Sequence, residues 1–372
     1  MGVWIDRKRL LDLFMSLTSI DSVSLGERQM ADRLREELLS LGFSVEEDMA
    51  GETCQGNAGN LYGYLPGALP GDPLLFCAHM DTVEPGLQKE AFLGEDGRIV
   101  SRGDTVLGAD DVCGLAEILE AVRALREQGI PHRSLEVLFP MGEELFLKGT
   151  NVFDFSRIRS REAYVLDLSG PVGAAAIKAP SLISFTFSVK GKASHAGFAP
   201  EEGIHAIACM SRAVSRLPMG RIGEDTTLNV GFIQGGGMVN IVPQSCVCKG
   251  EIRSYSHERA CEVLRETEEV FREALEGTGA SYTLEHSVDL QAYEIPRDAP
   301  VVERFLRVCR DMGREPSLTS TYGGSDNHNF FRNHISGIVL SCGMYQCHGT
   351  GEYTTLEDLE AGAALVAGLL TC

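Results

Sequence analysis

Basic side chains are scarce in this sequence, where 33 lysines and arginines stand against 53 aspartates and glutamates among 372 residues. The formal net charge is −20 at pH 7. A surface of that sign repels phosphate, so we expect no nucleic-acid partner, whereas a bound metal cation is compatible with it. The sequence also lacks an apolar run of the length that spans a bilayer, so we expect no membrane partner.

Paired cysteines are missing as well. The cysteines number 11, an odd count, and no C-x-x-C pair occurs, which argues against a disulfide framework and against a cysteine-rich zinc knuckle. The first twenty residues carry Asp6, Arg7, Lys8 and Arg9 where a signal peptide would be apolar, and their pattern predicts an amphipathic helix. These features predict a reduced, cytoplasmic setting.

What the sequence does contain is an alternation of helical and strand patterns that is typical of an α/β protein. A chain of this length predicts two domains. Apolar spacing predicts helices at 5–18, 25–41, 114–129 and 299–313 and from Thr355 onward, and strands around Val45 and at 60–65, 73–78, 134–141, 162–169 and 335–343. This order predicts an α/β/α layer architecture with a mostly parallel sheet.

The pattern changes between about residues 180 and 292. There the segments read strand, helix, strand, strand, helix, strand, which is the order of a ferredoxin-like α+β sandwich. The sequence therefore predicts one discontinuous α/β domain, residues 1–178 and 293–372, interrupted by a smaller inserted domain, residues 179–292.

Acidic and imidazole side chains occur where strands of the α/β part end. Ligands bind outside the carboxyl ends of strands in open α/β sheets, and carboxylates that converge there repel one another unless a cation lies between them. Each pair alone could be a capped loop, a helix N-cap or a solvated turn. Their joint occurrence at four strand or helix ends predicts one or two divalent metals, with candidate residues His79, Asp81, Asp110, Asp111, Glu143, Glu144 and Asp167.

A set of motifs extends this prediction to a known family. In order along the chain they are AHMDTV, LGADDVCGLAEILEA, GEELFLKGT, YVLDLSGPVG, KGKASHAGFAPEEGIHAI, NIVP, GEIRS, GGSDNHNFF and HGTGEYTTLEDL. Together they resemble the co-catalytic di-zinc aminoacyl hydrolases, which include peptidase T, carboxypeptidase G, aminoacylase and succinyl-diaminopimelate desuccinylase. The resemblance runs from about residue 5 to the C-terminus and is strongest to the peptidase T-like branch.

The resemblance implies a ligand set for two metal ions. His79 and Asp167 would bind one ion, Glu144 and His348 would bind the other, and Asp110 would bridge both. Asp81 would be the carboxylate that orients His79 through its second ring nitrogen. Glu143 would be the general base, and the thiolate-free ligand set favours zinc, with cobalt or manganese as substitutes.

The resemblance also implies substrate contacts from the inserted domain, which would serve as a lid and as the surface of a homodimer. His195 would stabilise the oxyanion and, in the family, reaches the site of the partner subunit. Arg253 would grip a substrate carboxylate with its planar fork, and Asn240 would be a polar substrate contact. His328, in a segment where the sequence departs from the family pattern, would either enter the substrate pocket or face away from it.

The leading functional prediction is a metallopeptidase that cleaves short peptides, of the tripeptide aminopeptidase type. The alternative with the same chemistry is a deacylase of N-acyl amino acids. A two-metal phosphoesterase is disfavoured by the acidic balance and by the lack of a phosphate-binding loop. A catalytically silent metal-binding protein is disfavoured because it would need no base such as Glu143 beside a complete ligand set.

Overall fold

The computed structural model describes residues 3–372. Its helices are α1 Arg7–Thr18, α2 Arg28–Ser40, α3 Ala50–Cys54, α4 Ala109–Glu127, α5 Lys148–Val152, α6 Ala206–Val214, α7 His257–Leu275, α8 Pro300–Asp311, α9 Asn327–Arg332 and α10 Leu356–Leu370. Its strands are β1 Ser44–Glu47, β2 Leu61–Leu65, β3 Leu69–Cys77, β4 Ala91–Leu93, β5 Arg98–Ser101, β6 Arg133–Phe139, β7 Glu162–Leu168, β8 Ala174–Ala179, β9 Ser181–Lys190, β10 Gly220–Arg221, β11 Thr226–Gly235, β12 Ser245–Ser254, β13 Ser281–Leu290, β14 Tyr293–Glu294, β15 Ser317–Ser320, β16 Ser336–Ser341 and β17 Tyr353–Thr355.

The chain forms two compact units. The larger unit comprises the chain up to Ile177 together with Glu294–Cys372, and the inserted unit is Lys178–Tyr293. The division predicted from the sequence was 179–292 for the insertion. The roles of the inserted unit as a lid and as a dimerisation surface stay predictions.

A nine-stranded sheet organises the larger unit, in the order β1-β2-β6-β3-β7-β16-β8-β14 with β15 beside β8. The central pairs β6–β3, β3–β7 and β7–β16 are parallel, whereas β1–β2, β2–β6 and β16–β8 are antiparallel. The predicted α/β class is confirmed, and the antiparallel pairs refine it to a mixed sheet. Because Cys77 is in register with both Leu138 and Val165, the central strands end together at one edge.

Apolar side chains bury the central strands of this sheet on both faces, as expected for parallel strands. One cluster joins Leu75 and Cys77 of β3 to Ala163 and Val165 of β7 and to Phe330 of α9. The intervening residues of the same strands, such as Phe76 and Tyr164, are also fully buried, and their rings stack with centroids 5.4 Å apart. Helix α4 is buried on nearly all sides, between neighbours that include α1 and α10.

A small sheet in the order β17-β5-β4 was not predicted from the sequence. Its strands are three or four residues long and pair antiparallel, with Tyr353 opposite Val100 and Phe92 opposite Val100 on the other side. This sheet holds β17 in place, and β17 follows shortly after the segment that contains His348.

The inserted unit is an antiparallel sheet in the order β10-β11-β12-β9-β13 with helices α6 and α7. Alternate residues of β9, from Ile183 to Val189, are buried against these helices, while Ser184, Thr186 and Ser188 lie on the other face. The order of β9, β11, β12 and β13 is that of a ferredoxin-like sandwich, which confirms the predicted fold of the insertion.

Within residues 3–372, no helix combines the length and the apolar composition that crossing a membrane requires.

Candidate metal and catalytic site

The carboxyl ends of the central strands bring most of the predicted residues to one edge of the sheet. His79 and Asp81 follow β3, the turn with Glu143 and Glu144 follows β6, and Asp167 is the penultimate residue of β7. Asp110 lies at the start of α4, and His348 lies in the loop between β16 and β17. All of these residues belong to the larger unit.

The structure groups these side chains into overlapping sets whose ligand atoms lie within 4.8 Å of one another. The sets are His79 with Asp110 and Asp167, His79 with Glu143 and Glu144, and Asp110 with Glu144 and His348. The first and third sets match the two ligand groups expected from the sequence, with Asp110 common to both. The geometry therefore brings the five expected ligands together, and their role as ligands stays a proposal.

Asp110 divides its two carboxylate oxygens between two imidazoles. Its Oδ1 lies 3.0 Å from Nε2 of His79, and its Oδ2 lies 3.2 Å from Nε2 of His348. The same nitrogen of His348 lies 3.0 Å from Oε1 of Glu144. A carboxylate with one oxygen facing each ligand group is the arrangement that a bridging ligand needs.

The charge balance of the site fits a cation. Burial raises the pKa of Asp167 and of Glu143 well above the usual carboxyl range, and the neighbouring carboxylate charges raise it further. Hydrogen bonds to Asp110 and Glu144 raise the pKa of His348 to about 11. The carboxylates of Asp110 and Glu144 thus favour positive charge between them. The donor set of imidazole and carboxylate groups without a thiolate is suited to divalent metals such as zinc.

Asp81 contacts His79, as expected, and also supports the turn that follows β6. Nδ1 of His79 lies 2.9 Å from the main-chain oxygen of Asp81 and 3.4 Å from its carboxylate Oδ1, so the carbonyl is the nearer support for the ring. The carboxylate also accepts hydrogen bonds from the main-chain N–H groups of Glu143 at 2.9 Å and Glu144 at 3.2 Å, and from the Ser24 hydroxyl at 2.7 Å. It therefore fixes the turn that carries the proposed base and a proposed ligand.

Glu27 supports the same turn and was not found from the sequence. Its Oε1 accepts from the N–H groups of Gly142 at 3.0 Å and Leu25 at 2.9 Å. With Asp81, it binds the N–H groups of Gly142, Glu143 and Glu144 in succession. Burial and the charge of Asp81 raise the pKa of Glu27 to about 7. The only local signal was a glutamate after Gly26 at the start of a helix.

Two more carboxylates bind the main chain of proposed ligands. Glu352 accepts from the N–H groups of Gly108 at 2.7 Å and Asp110 at 2.9 Å, and it is buried beside β17. Asp111 accepts from the main-chain N–H of His79 at 3.0 Å. Of these two residues, only Asp111 was a candidate from the sequence, as a member of the acidic pair Asp110-Asp111.

The three expected substrate contacts lie in the inserted unit. The main chain brings His195 and Asn240 close, because Ala196 donates its N–H to Asn240 O at 2.9 Å and His195 forms a β-bridge with Ile241. Nδ1 of His195 accepts from the N–H groups of Gly197 and Phe198, both at 3.1 Å. Arg253 lies on β12, and its Nε is 2.8 Å from Oε1 of Glu251.

His328 is buried in α9, with Nδ1 3.0 Å from the main-chain oxygen of Ser325. Its neighbour Asp326 accepts a hydrogen bond of 2.6 Å from the Thr150 hydroxyl. Asp326 thus links the start of α9 to Thr150 of α5, the helix that follows the turn with Glu143 and Glu144. The role of His328 toward a substrate stays a prediction.

Comparison with known proteins places the chain in a family. A model described as a peptidase dimerisation domain matches residues 177–279, and a model described as peptidase family M28 matches residues 60–170. Among curated proteins, the chain is 34% identical over 366 residues to the uncharacterized protein YqjE of Bacillus subtilis, with 98% of each chain covered.

Solved structures agree. A tripeptidase from Staphylococcus aureus superposes with a TM-score of 0.95 at 30% identity, covering 99% of this chain and 98% of the other. Aminopeptidase PepT from Bacillus cereus superposes with a TM-score of 0.92 at 35% identity, with the same coverage. The family predicted from the motifs is confirmed. The chain belongs to the M20 metallopeptidase family, in its peptidase T-like branch, and is a peptide-bond hydrolase.

Proposed function

We propose that the enzyme cleaves short peptides, tripeptides in the first place, at a centre that holds two divalent cations. The observation that carries the proposal is the division of Asp110 between two ligand groups, with Oδ1 toward His79 and Oδ2 toward His348. The names of the similar structures, a tripeptidase and an aminopeptidase, support a short peptide with a free amino terminus as the substrate.

The ligand assignment follows the two sets. His79 and Asp167 would hold one ion, Glu144 and His348 the other, and Asp110 both. Zinc suits these imidazole and carboxylate donors, and cobalt or manganese could replace it. When bound, the ions would acidify the attacking water and polarise the scissile carbonyl group.

Glu143 would move the protons of the reaction. It lies beside the ligands, its main chain is held by Asp81, and it is buried. It would take a proton from the attacking water and deliver it to the leaving amine, so that one carboxylate serves as base and then as acid. Such general acid–base catalysis typically contributes about 10²–10⁴-fold to the rate.

The inserted unit would supply the substrate contacts. Because Nδ1 of His195 accepts two main-chain hydrogen bonds, a neutral ring carries its proton on Nε2, which is the form that can donate to an oxyanion. Arg253 would bind the carboxylate terminus of the peptide through its fork, and Asn240 would hydrogen-bond the substrate.

We also propose a homodimer formed through the inserted unit, with His195 acting in the partner's site. The matching dimerisation-domain model supports this. Strand β11 supports it as well, because β10 covers only a short part of its outer edge. Within the described sheet, β10 pairs with only Thr227 and Leu228, and farther along β11 Phe232 and Ile233 are 45% and 51% exposed. Mixing Glu143→Gln with His195→Ala protein should restore partial activity through heterodimers. No recovery despite demonstrated subunit exchange would reject the action in trans.

We place the enzyme in the cytoplasm. All eleven cysteines are unpaired, from the buried Cys77 to the exposed Cys372, as expected for a reducing compartment. Localisation of the tagged full-length chain by cell fractionation would test this.

The central test combines metal analysis with a substrate panel. Protein stripped of metal should be inactive and regain turnover of tripeptides on addition of Zn²⁺, Co²⁺ or Mn²⁺. Glu143→Gln should abolish turnover while it leaves the metal content unchanged, because Glu143 is the base and not one of the five ligands. Clear release of acyl groups from N-acetyl or N-succinyl amino acids without cleavage of any peptide would replace the proposed substrate by that of a deacylase.

A further inference from the structure

A phenylalanine next to the proposed base combines two unfavourable features. Phe146 has a φ of 62°, in the left-handed region that favours glycine. Its side chain is also 57% exposed, so it gains little from burial. An exposed apolar residue is common in proteins, but an exposed aromatic residue held in a left-handed backbone is not.

The adjacent residue provides an internal comparison. Leu147 has a φ of 57°, almost the same conformation, but only 2% of its surface is exposed. Burial of the Leu147 side chain therefore offsets the cost of its left-handed backbone. Phe146 is far less buried among the described residues, so we look for a partner of its side chain outside the chain.

The backbone of Phe146 is tied to the proposed base. Its N–H donates to the main-chain oxygen of Glu143, which also accepts from the N–H of Leu147 at 2.8 Å. Its own carbonyl accepts from Nδ2 of Asn151 at 2.8 Å. The aromatic ring is therefore presented from a fixed backbone position three residues after Glu143. Two partly exposed apolar residues, Leu145 and Val152, lie nearby in the sequence.

We propose that Phe146 determines specificity, by contacting an apolar side chain of the peptide close to the scissile bond; this inference rests on the proposed peptidase function. An aromatic side chain has only two rotatable bonds and offers a large apolar surface, so it binds an apolar group at a low entropy cost. Transfer of the substrate side chain and of the exposed ring away from water then supplies binding energy for apolar peptides that glycine-only peptides do not receive.

The test replaces Phe146 with residues that suit its backbone. Phe146→Gly and Phe146→Asn both tolerate the left-handed conformation, so the fold should persist, as checked by thermal unfolding. The panel consists of tripeptides in which Leu, Phe, Ala or Gly occupies each position in turn. For peptides with Leu or Phe at one position, kcat/KM should fall roughly tenfold, a typical effect of losing part of an apolar contact. For triglycine and Ala-substituted peptides it should change little.

His334→Gly is the matched control. His334 also has a left-handed φ, 61°, and is exposed, but it precedes β16 at the amino end of that strand, away from the edge where the strands end. This variant should retain the wild-type preference. Phe146→Leu should keep most of the preference for apolar peptides, because it preserves an apolar surface.

Two outcomes would overturn the inference. An equal loss for every peptide in the panel would mean that Phe146 only positions Glu143, and an unchanged preference would mean that its ring does not contact substrate. Both are distinct from a failure of the proposed function, in which the wild-type, metal-loaded enzyme itself cleaves no peptide.

Discussion

Replacement of Asp81 by asparagine tests which neighbour the Asp81 carboxylate supports. The carboxylate binds the N–H groups of Glu143 and Glu144 and the hydroxyl of Ser24. The ring of His79 is nearer to the main-chain oxygen of Asp81, which the substitution leaves in place. We therefore expect Asp81→Asn to disturb the turn with Glu144 more than the ring of His79.

The size of the effect follows from the hydrogen bonds. Although burial opposes it, the His79 ring, the Ser24 hydroxyl and the Glu143 N–H hold the pKa of Asp81 below its usual value, so the native acceptor is charged. An asparagine amide can accept through only one of its two terminal atoms. Ser24 can reverse its hydrogen bond and accept from the new NH₂ group, but one main-chain N–H loses its acceptor. A hydrogen bond to a charged group contributes about 1.5–3 kcal/mol, and loss of such support typically weakens metal binding about 10–100-fold.

The assay is titration of metal-free protein with Co²⁺ or Zn²⁺, with the bound ions counted and turnover measured at each concentration. Asp81→Asn should bind one ion as the wild type does and the other about 10–100-fold more weakly. Its pattern should match that of His348→Ala, which removes a proposed ligand from the group containing Glu144. Activity should recover substantially at high metal concentration.

A pattern that instead matches Asp167→Asn would refute the reasoning, because the weakened ion would then be the one on the His79 side. Equal weakening of both ions would also refute it. Ser24→Ala is the control for Asp81→Asn, since it removes the hydroxyl contact and leaves both main-chain hydrogen bonds; the number of ions it binds should be unchanged.

Three further predictions concern buried carboxylates. Glu352→Gln should weaken the binding of both ions together and lower kcat, because Glu352 holds the main chain of Asp110, the proposed shared ligand; the same metal titration checks this. Burial and the Asp81 charge raise the pKa of Glu27 from 4.5 to about 7, so its contribution to stability is complete below pH 4.5 and is lost as the pH rises through 7. That loss is up to about 3 kcal/mol, and urea unfolding of Glu27→Gln should show it as a flatter pH dependence than that of the wild type. Glu117 is buried and neither carboxylate oxygen has a hydrogen-bond partner among the described residues, so Glu117→Met should raise the free energy of unfolding by about 1–2 kcal/mol, and an unchanged or lower melting temperature would contradict this.

The strand-end residues could be predicted because their signal is local. An apolar run that stops at a histidine or an acidic pair marks both the strand and the side chain that its end presents. His348 lacks this signal, since it lies in an irregular loop, and only the resemblance of its segment to a family identified it. The βαββαβ order of the insertion could also be predicted, because β9, β11, β12 and β13 are each ten residues long.

The supporting carboxylates could not be predicted, because their partners are remote in sequence. Glu27 binds the N–H of a residue 115 positions away, and Glu352 binds one 244 positions away. Periodicity carries no information about such pairs. The hydrogen bonds from the turn to the Asp81 carboxylate could not be predicted for a related reason: they depend on the turn geometry, which residue types alone do not specify.

The placement of β16 beside β7 has a consequence for the newly made protein. The two strands are direct neighbours, with Ser336 opposite Glu162, yet the whole inserted unit is synthesised between them. When the ribosome has just added Asp167, the nascent chain contains four of the five expected ligands. It still lacks β16, a central strand of the sheet, and His348, the last expected ligand. We therefore expect the nascent peptidase to stay inactive beside other emerging chains until the segment with His348 has left the exit tunnel.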